Sequence, residues 1–153
     1  LPALKSRGFH GLKPKKDMSC GGVGGGFQVM DNQAVNSLAT AYGYSTYLGF
    51  ARGVSLGVRV KSSTAAPTIK VDWESSYKKP ATEQAADTAF VVPTNVATPW
   101  TALTGVASDA TGVWVWQQIH PPKSEYGRPK ITGNTGNPAT TTVDLIVHLD
   151  EGP

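Results

Sequence analysis

Three histidines (His10, His120 and His148), one cysteine (Cys20) and a carboxylate pair (Asp72 and Glu74) are where the chemistry of this 153-residue chain must first be sought. The histidines stand far apart, and none has a base, nucleophile or metal ligand at short spacing. An imidazole without such a partner is a poor general base. His148 alternates with apolar residues in TTTVDLIVHL and reads as a satisfied sheet histidine. Asp72 and Glu74 lie two apart in TIKVDWES and so share one face of a strand. Paired carboxylates can exchange protons or hold calcium. No second oxygen-rich segment accompanies them, and Asp109 in ASDATG stands alone, so the pair is expected to solvate an outer face. Cys20 has no second cysteine, which rules out an intrachain disulfide and a CxxC metal pair. GVSLG (53–57) lies inside the alternating strand GVSLGVRVK and makes no GxSxG elbow, and HExxH and Walker A motifs are absent. The run GGVGGG lacks dinucleotide-fingerprint spacing and has no strand before it, so it reads as a hinge. These residues assemble no nucleophile–base or metal set. A non-enzymatic chain without cofactor or metal is expected.

Aromatic residues offer a different chemistry. Trp73 is in phase with Ile69 and Val71 and should point inward. Trp114 and Trp116 share one face of TGVWVWQQI, with Val113 and Val115 on the other. Bulk on both faces suggests a central or interface strand. At most one of those faces can present a flat platform of the kind that stacks on sugars. Trp100 lies in PTNVATPWTALTG, whose two prolines suggest a segment that crosses an edge. Tyr42, Tyr44 and Tyr47, set among glycines in AYGYSTYLGFARG, are candidates for a contact surface; the competing reading places them at a core edge.

Short strands must position these groups. Val54, Leu56, Val58 and Val60 alternate with Ser55, Gly57, Arg59 and Lys61, a period of two that excludes an amphipathic helix. Ile69, Val71 and Trp73 repeat the pattern, as do Val143, Leu145, Val147 and Leu149 near the C-terminus. FQVMDNQ reads as a strand and QAVNSLATA as a strand or short helix. YKKPATEQAADT reads as a loop with one helical turn, AFVV as a short strand, and EYGRPKITG as a strand broken at Pro129. Seventeen glycines, eleven prolines and only 16% charged residues favour strands and turns over a helical bundle. The expected fold is all-β: an antiparallel β-sandwich or jelly roll spanning 27–153, preceded by an extended arm, 1–26.

The arm holds the positive charge. Five Lys/Arg and no acid occupy the first 16 residues, whereas the remainder carries nine Lys/Arg against eleven acids. Leu4, Phe9 and Leu12 alternate with Lys5, Arg7, Lys13, Lys15 and Lys16. This mixture suits a protein surface better than nucleic acid, for which the aromatic interleaving is too thin. No apolar run approaches the roughly 18 residues of a membrane span, so no membrane contact is expected.

From Gly53 to Leu149 the chain resembles small β-sandwich structural proteins of tailed-phage virions. VSLGVRVK, IKVDWESSY, PWTALTG, EYGRPKITG and TTTVDLIVHL carry that likeness. The resemblance implies a bacteriophage capsid decoration (cement) protein located on the virion. It would bind the major capsid protein or other virion subunits through its arm and a sheet edge, often as trimers or other homo-oligomers. Tyr126-Gly127-Arg128 is also similar to galactose-binding-like sandwiches, which implies a glycan-binding module of a fibre or cell surface. A self-assembling extracellular filament subunit, whose arm adds a strand to its neighbour, is the third expectation.

Overall fold

The computed structural model describes residues 26–49, 51–94, 98–106, 109–121 and 124–150. The arm therefore lies outside the described residues except for Gly26, which opens the first strand. Nine strands follow: β1 (Gly26–Ala34), β2 (Thr40–Tyr42), β3 (Thr46–Tyr47), β4 (Gly53–Lys61), β5 (Thr68–Ser76), β6 (Trp100–Thr104), β7 (Trp114–Ile119), β8 (Tyr126–Gly133) and β9 (Thr142–Asp150). No helix occurs among the described residues.

Two antiparallel sheets pack face to face, in the orders β1-β9-β4-β7 and β2-β8-β5-β6, with β3 added to β8. The pairing is nested. β1 pairs β9, β2 pairs β8, β4 pairs β7, and β5 pairs β6. This is a long hairpin of strand pairs, rolled so that β9 meets β4 and β8 meets β5. Eight strands connected in this way form a jelly roll, as the strand rhythm predicts.

The core lies where the alternating residues meet. Val54, Leu56 and Val58 of β4 and Val143, Leu145 and Val147 of β9 face Ile69, Val71 and Trp73 of β5 and Ile131 of β8, all essentially inaccessible. Each such side chain contributes about 1.5–3 kcal/mol through burial. Trp73 lies directly against Gly127, where a Cβ would come within 2.1 Å of the indole. Only glycine permits that approach.

Several local expectations are corrected. Pro129 does not break its strand: β8 runs from Tyr126 to Gly133. In an antiparallel ladder a residue's N and O point to the same side. The Pro129 carbonyl accepts from Gly43 N, between β3, paired at 126–127, and β2, paired at 130–132. The missing N–H thus falls in a gap between two partner strands, where it costs no ladder bond. The segment around 33–41 forms no helix; a turn with Leu38 at φ 53° separates β1 from β2. No helical turn forms in ATEQAAD, and AFVV is reduced to one bridge, Ser75–Val91. β7 is an edge strand and not a central one.

Candidate functional site

Three regions combine chemistry with accessibility or unusual burial. The first lies outside the β5–β8 layer. Glu74 and Arg128 occupy facing positions on these strands and point away from the core. Described residues of the connection that follows β5 (77–94) cover them, and Arg128 is fully buried and Glu74 5% exposed. Arg128 Nε donates to Glu74 Oε1 at 2.9 Å, and Nη1 donates to the Ala85 carbonyl at 2.8 Å. Tyr42 and Phe90 sandwich the guanidinium at 4.5 and 4.4 Å. Its Nη2 has no hydrogen-bond partner. Asp72, also buried, accepts from the Thr98 hydroxyl at 3.1 Å and pairs with Lys70 at 3.3 Å. The expectation that Asp72 and Glu74 solvate an outer face is therefore overturned: the connection roofs them and turns both into anchors.

That roof is pinned along its length. Glu83 accepts from Ser45 N and Oγ, both at 2.7 Å. Asp87 accepts from Ala81 N and Ala89 N at 3.0 and 2.9 Å. Those amide hydrogen bonds, led by Ala89, hold the Asp87 carboxyl below its ordinary pKa. Connections this long in a compact domain are uncommon without a role, and here the role is to seal the Arg128–Glu74 pair.

The second region is the outer face of the β1-β9-β4-β7 sheet, which has no such cover among the described residues. Arg59 Nε and Nη2 both donate to Asp144 Oδ2, at 3.0 and 2.7 Å, and Lys61 Nζ pairs with the same oxygen at 2.8 Å. The Asn32 amide donates to Asp144 Oδ1 at 2.7 Å. Burial alone would raise the Asp144 pKa. The donors, first Lys61 and then Asn32 and Arg59, outweigh burial and hold it below the ordinary value. Beside this cluster Trp114 and Trp116 lie 6.2 Å apart with planes 28° from parallel. Trp116 is 55% exposed.

The third region is the open side of the sandwich, where β6 and β7 are the outermost strands of their sheets. Val58, Val60, Val113 and Val115 line one wall of an apolar cleft of about 240 Å³, and Leu103 and Val106 line the other. Asp109 stabilises the turn beside it, accepting from Thr111 N and Gly112 N at 3.0 and 2.8 Å, while its carbonyl accepts from Ser62 N. Val106 and Val113 remain largely exposed.

The sequence-predicted residues distribute as follows. Leu4, Lys5, Arg7, Phe9, Leu12, Lys13, Lys15 and Lys16 lie outside the described residues. Tyr42 turns into the Arg128 stack, Tyr47 packs edge-on to Tyr126 at 5.4 Å, and Tyr44 is partly exposed. No ring contact joins the three tyrosines to one another among the described residues. His148 stands on the outer face with Nδ1 3.7 Å from Asp150 Oδ1. Sequence reasoning missed the cleft, although Val106 and Val113 bracket the polar turn ASDATG. It also missed the support for Trp116, although an interior strand glycine such as Gly57 signals a close approach. No protein-family model matches the chain, and no curated protein matches it.

Proposed function

We propose that this chain is a non-enzymatic virion structural protein, a capsid decoration subunit that engages a shell through its N-terminal arm and its β6–β7 edge. The observation that carries this reading is the apolar cleft between two edge strands that no described residue covers. Exposed edges and apolar clefts are features that soluble proteins otherwise cover or blunt, and a neighbouring subunit is an effective cover. The jelly roll serves shell subunits and lectins alike, so topology agrees with the reading without choosing it.

The position of the arm supports the same reading. It joins the body at Gly26 on β1, the edge strand opposite β7. The point where the arm joins β1 and the cleft thus lie at opposite edges of the same sheet, which suits two different neighbours. Contacts of that heterologous kind extend around closed rings or over a lattice. Ordering an extended arm lowers affinity per unit of buried area, and repeated attachment over a lattice offsets that loss.

Occupancy on stripped capsids tests the reading. The full chain, a chain lacking residues 1–25, and a Val106→Asp/Val113→Asp variant would be added and the bound copies counted by quantitative gel or cryo-microscopy. Arm deletion should weaken attachment, and the paired aspartates should abolish contact through the cleft edge. Unchanged occupancy for both variants would remove the proposal.

A further inference from the structure

Trp114 and Trp116 are each supported from beneath. Trp116 lies over Gly57, its cross-strand partner, where a Cβ would come within 2.6 Å of the six-membered ring. A glycine here lets the indole lie down across β4 with its other face toward solvent. Trp114 stacks on the Arg59 guanidinium, 4.7 Å from the ring centroid, and Asp144 holds that guanidinium in place. Ile146 extends the apolar row beyond Gly57 on β9. A polar rim borders the Trp116 end. Asp150 accepts there from Gln118 and from the Ser55 hydroxyl, with His148 alongside.

We propose that this sheet face binds neutral pyranose rings of a glycan chain, with Trp116 and Trp114 as the stacking platform and Gln118 and Asp150 as the hydroxyl-reading rim. A pyranose presents an apolar C–H face bordered by hydroxyls. The electron-rich indole face complements the first, and a carboxylate is a strong acceptor for the second. Charge selects the class of occupant. At the Trp114 end Arg59 and Lys61 share the single Asp144 carboxylate, which occupies both cations and blunts the net positive charge that would recruit an anion or an acidic peptide. At the Trp116 end the Asp150 carboxylate repels acidic sugars and phosphate. An uncharged polymer with flat C–H faces matches both ends. The platform uses neither the arm nor the cleft, so this inference stands apart from the assembly reading.

The test uses the full chain in native gels cast with neutral polysaccharides (glucan, mannan and galactan) or with polygalacturonate. Tryptophan emission is followed on adding the matching hexasaccharides. At least one neutral glycan should retard the chain and shift its emission. Trp116→Ala should weaken that binding by about tenfold. Gly57→Val retains the indole but lifts it off the sheet, and should weaken binding as well. Thermal midpoints of the same samples confirm folding. The proposal is overturned if no neutral glycan binds, if Trp116→Ala binds like the parent, or if polygalacturonate is preferred. Loss of capsid occupancy in Trp116→Ala without any glycan binding would also overturn it, by assigning the face to a protein partner. Capsid occupancy unchanged in Trp116→Ala, together with weakened glycan binding, is the expected pattern.

Discussion

The two outer faces of the sandwich carry similar residues and meet opposite fates. On β5 and β8 the outward positions include Lys70, Asp72, Glu74, Arg128 and Lys130; on β4 and β9 they include Ser55, Arg59, Lys61, Asp144 and His148. In the first set the connection that follows β5 buries Asp72, Glu74 and Arg128, whereas Lys70 and Lys130 still reach water. The other stays open enough to leave Trp116 more than half exposed. Strand alternation therefore identifies which residues point away from the core, but not whether they reach water. The roofed face bears the desolvation of a buried ion pair, which attraction repays only when geometry is good. Here a direct Arg–Glu hydrogen bond, a carbonyl and two aromatic faces provide that geometry.

The comparison can be broken hardest at Arg128. Arg128→Ala should lower unfolding free energy by about 3 kcal/mol, because Glu74 is left buried with only Lys130 Nζ, 4.0 Å away, to balance it. Chemical denaturation measures this. The double variant Arg128→Met/Glu74→Leu should recover most of the loss, whereas Arg59→Ala on the open face should cost far less than Arg128→Ala. Equal costs for the two arginines would mean that the roof does not seal. Similar in size, Gly127→Ala drives a methyl into the Trp73 ring and should cost about 3 kcal/mol in the same assay.

On the open face the effects shrink. Asp144→Asn removes the carboxylate shared by Arg59 and Lys61 and should cost about 2 kcal/mol. The same group sets a pH dependence. Its folded pKa lies below the ordinary value, so its contribution is complete above the unfolded value. That contribution disappears as pH falls through the folded one. Acid titration from about pH 4 downward should therefore destabilise the parent more than Asp144→Asn, and the two thermal-midpoint curves should converge. Smallest of all, Trp116→Ala should change stability by no more than about 0.5 kcal/mol. A larger loss would show that Trp116 supports the fold, and would weaken the contrast between the faces.

Several elements were legible from residue order. β4, β5 and β9 follow from alternation, since one-sided burial demands period two, and Trp73 points inward as its phase requires. Valines and tryptophans on both faces of β7 point to a central or interface strand, and the structure places it at a sheet edge. Side-chain bulk does not reveal that one face lies over a glycine at an open sheet. Pro129 was read as a break because proline removes a donor. Whether the missing donor costs a ladder bond depends on which strand lies beside it, and Pro129 falls between the stretches paired by β3 and β2. The cleft escaped notice because its walls come from β4, β6 and β7, which meet only through the rolled pairing of the sheets.

By itself, the order of residues determined an all-β chain with basic first residues, a slightly acidic remainder and an inward tryptophan. Each of these is a local property of composition or of two-residue periodicity. Tertiary structure alone decided that Glu74 is buried and Asp144 shared, that Gly57 cradles Trp116, and that a valine-lined cleft opens between β6 and β7. These outcomes depend on contacts between residues far apart in the chain, and on where one long connection comes to rest.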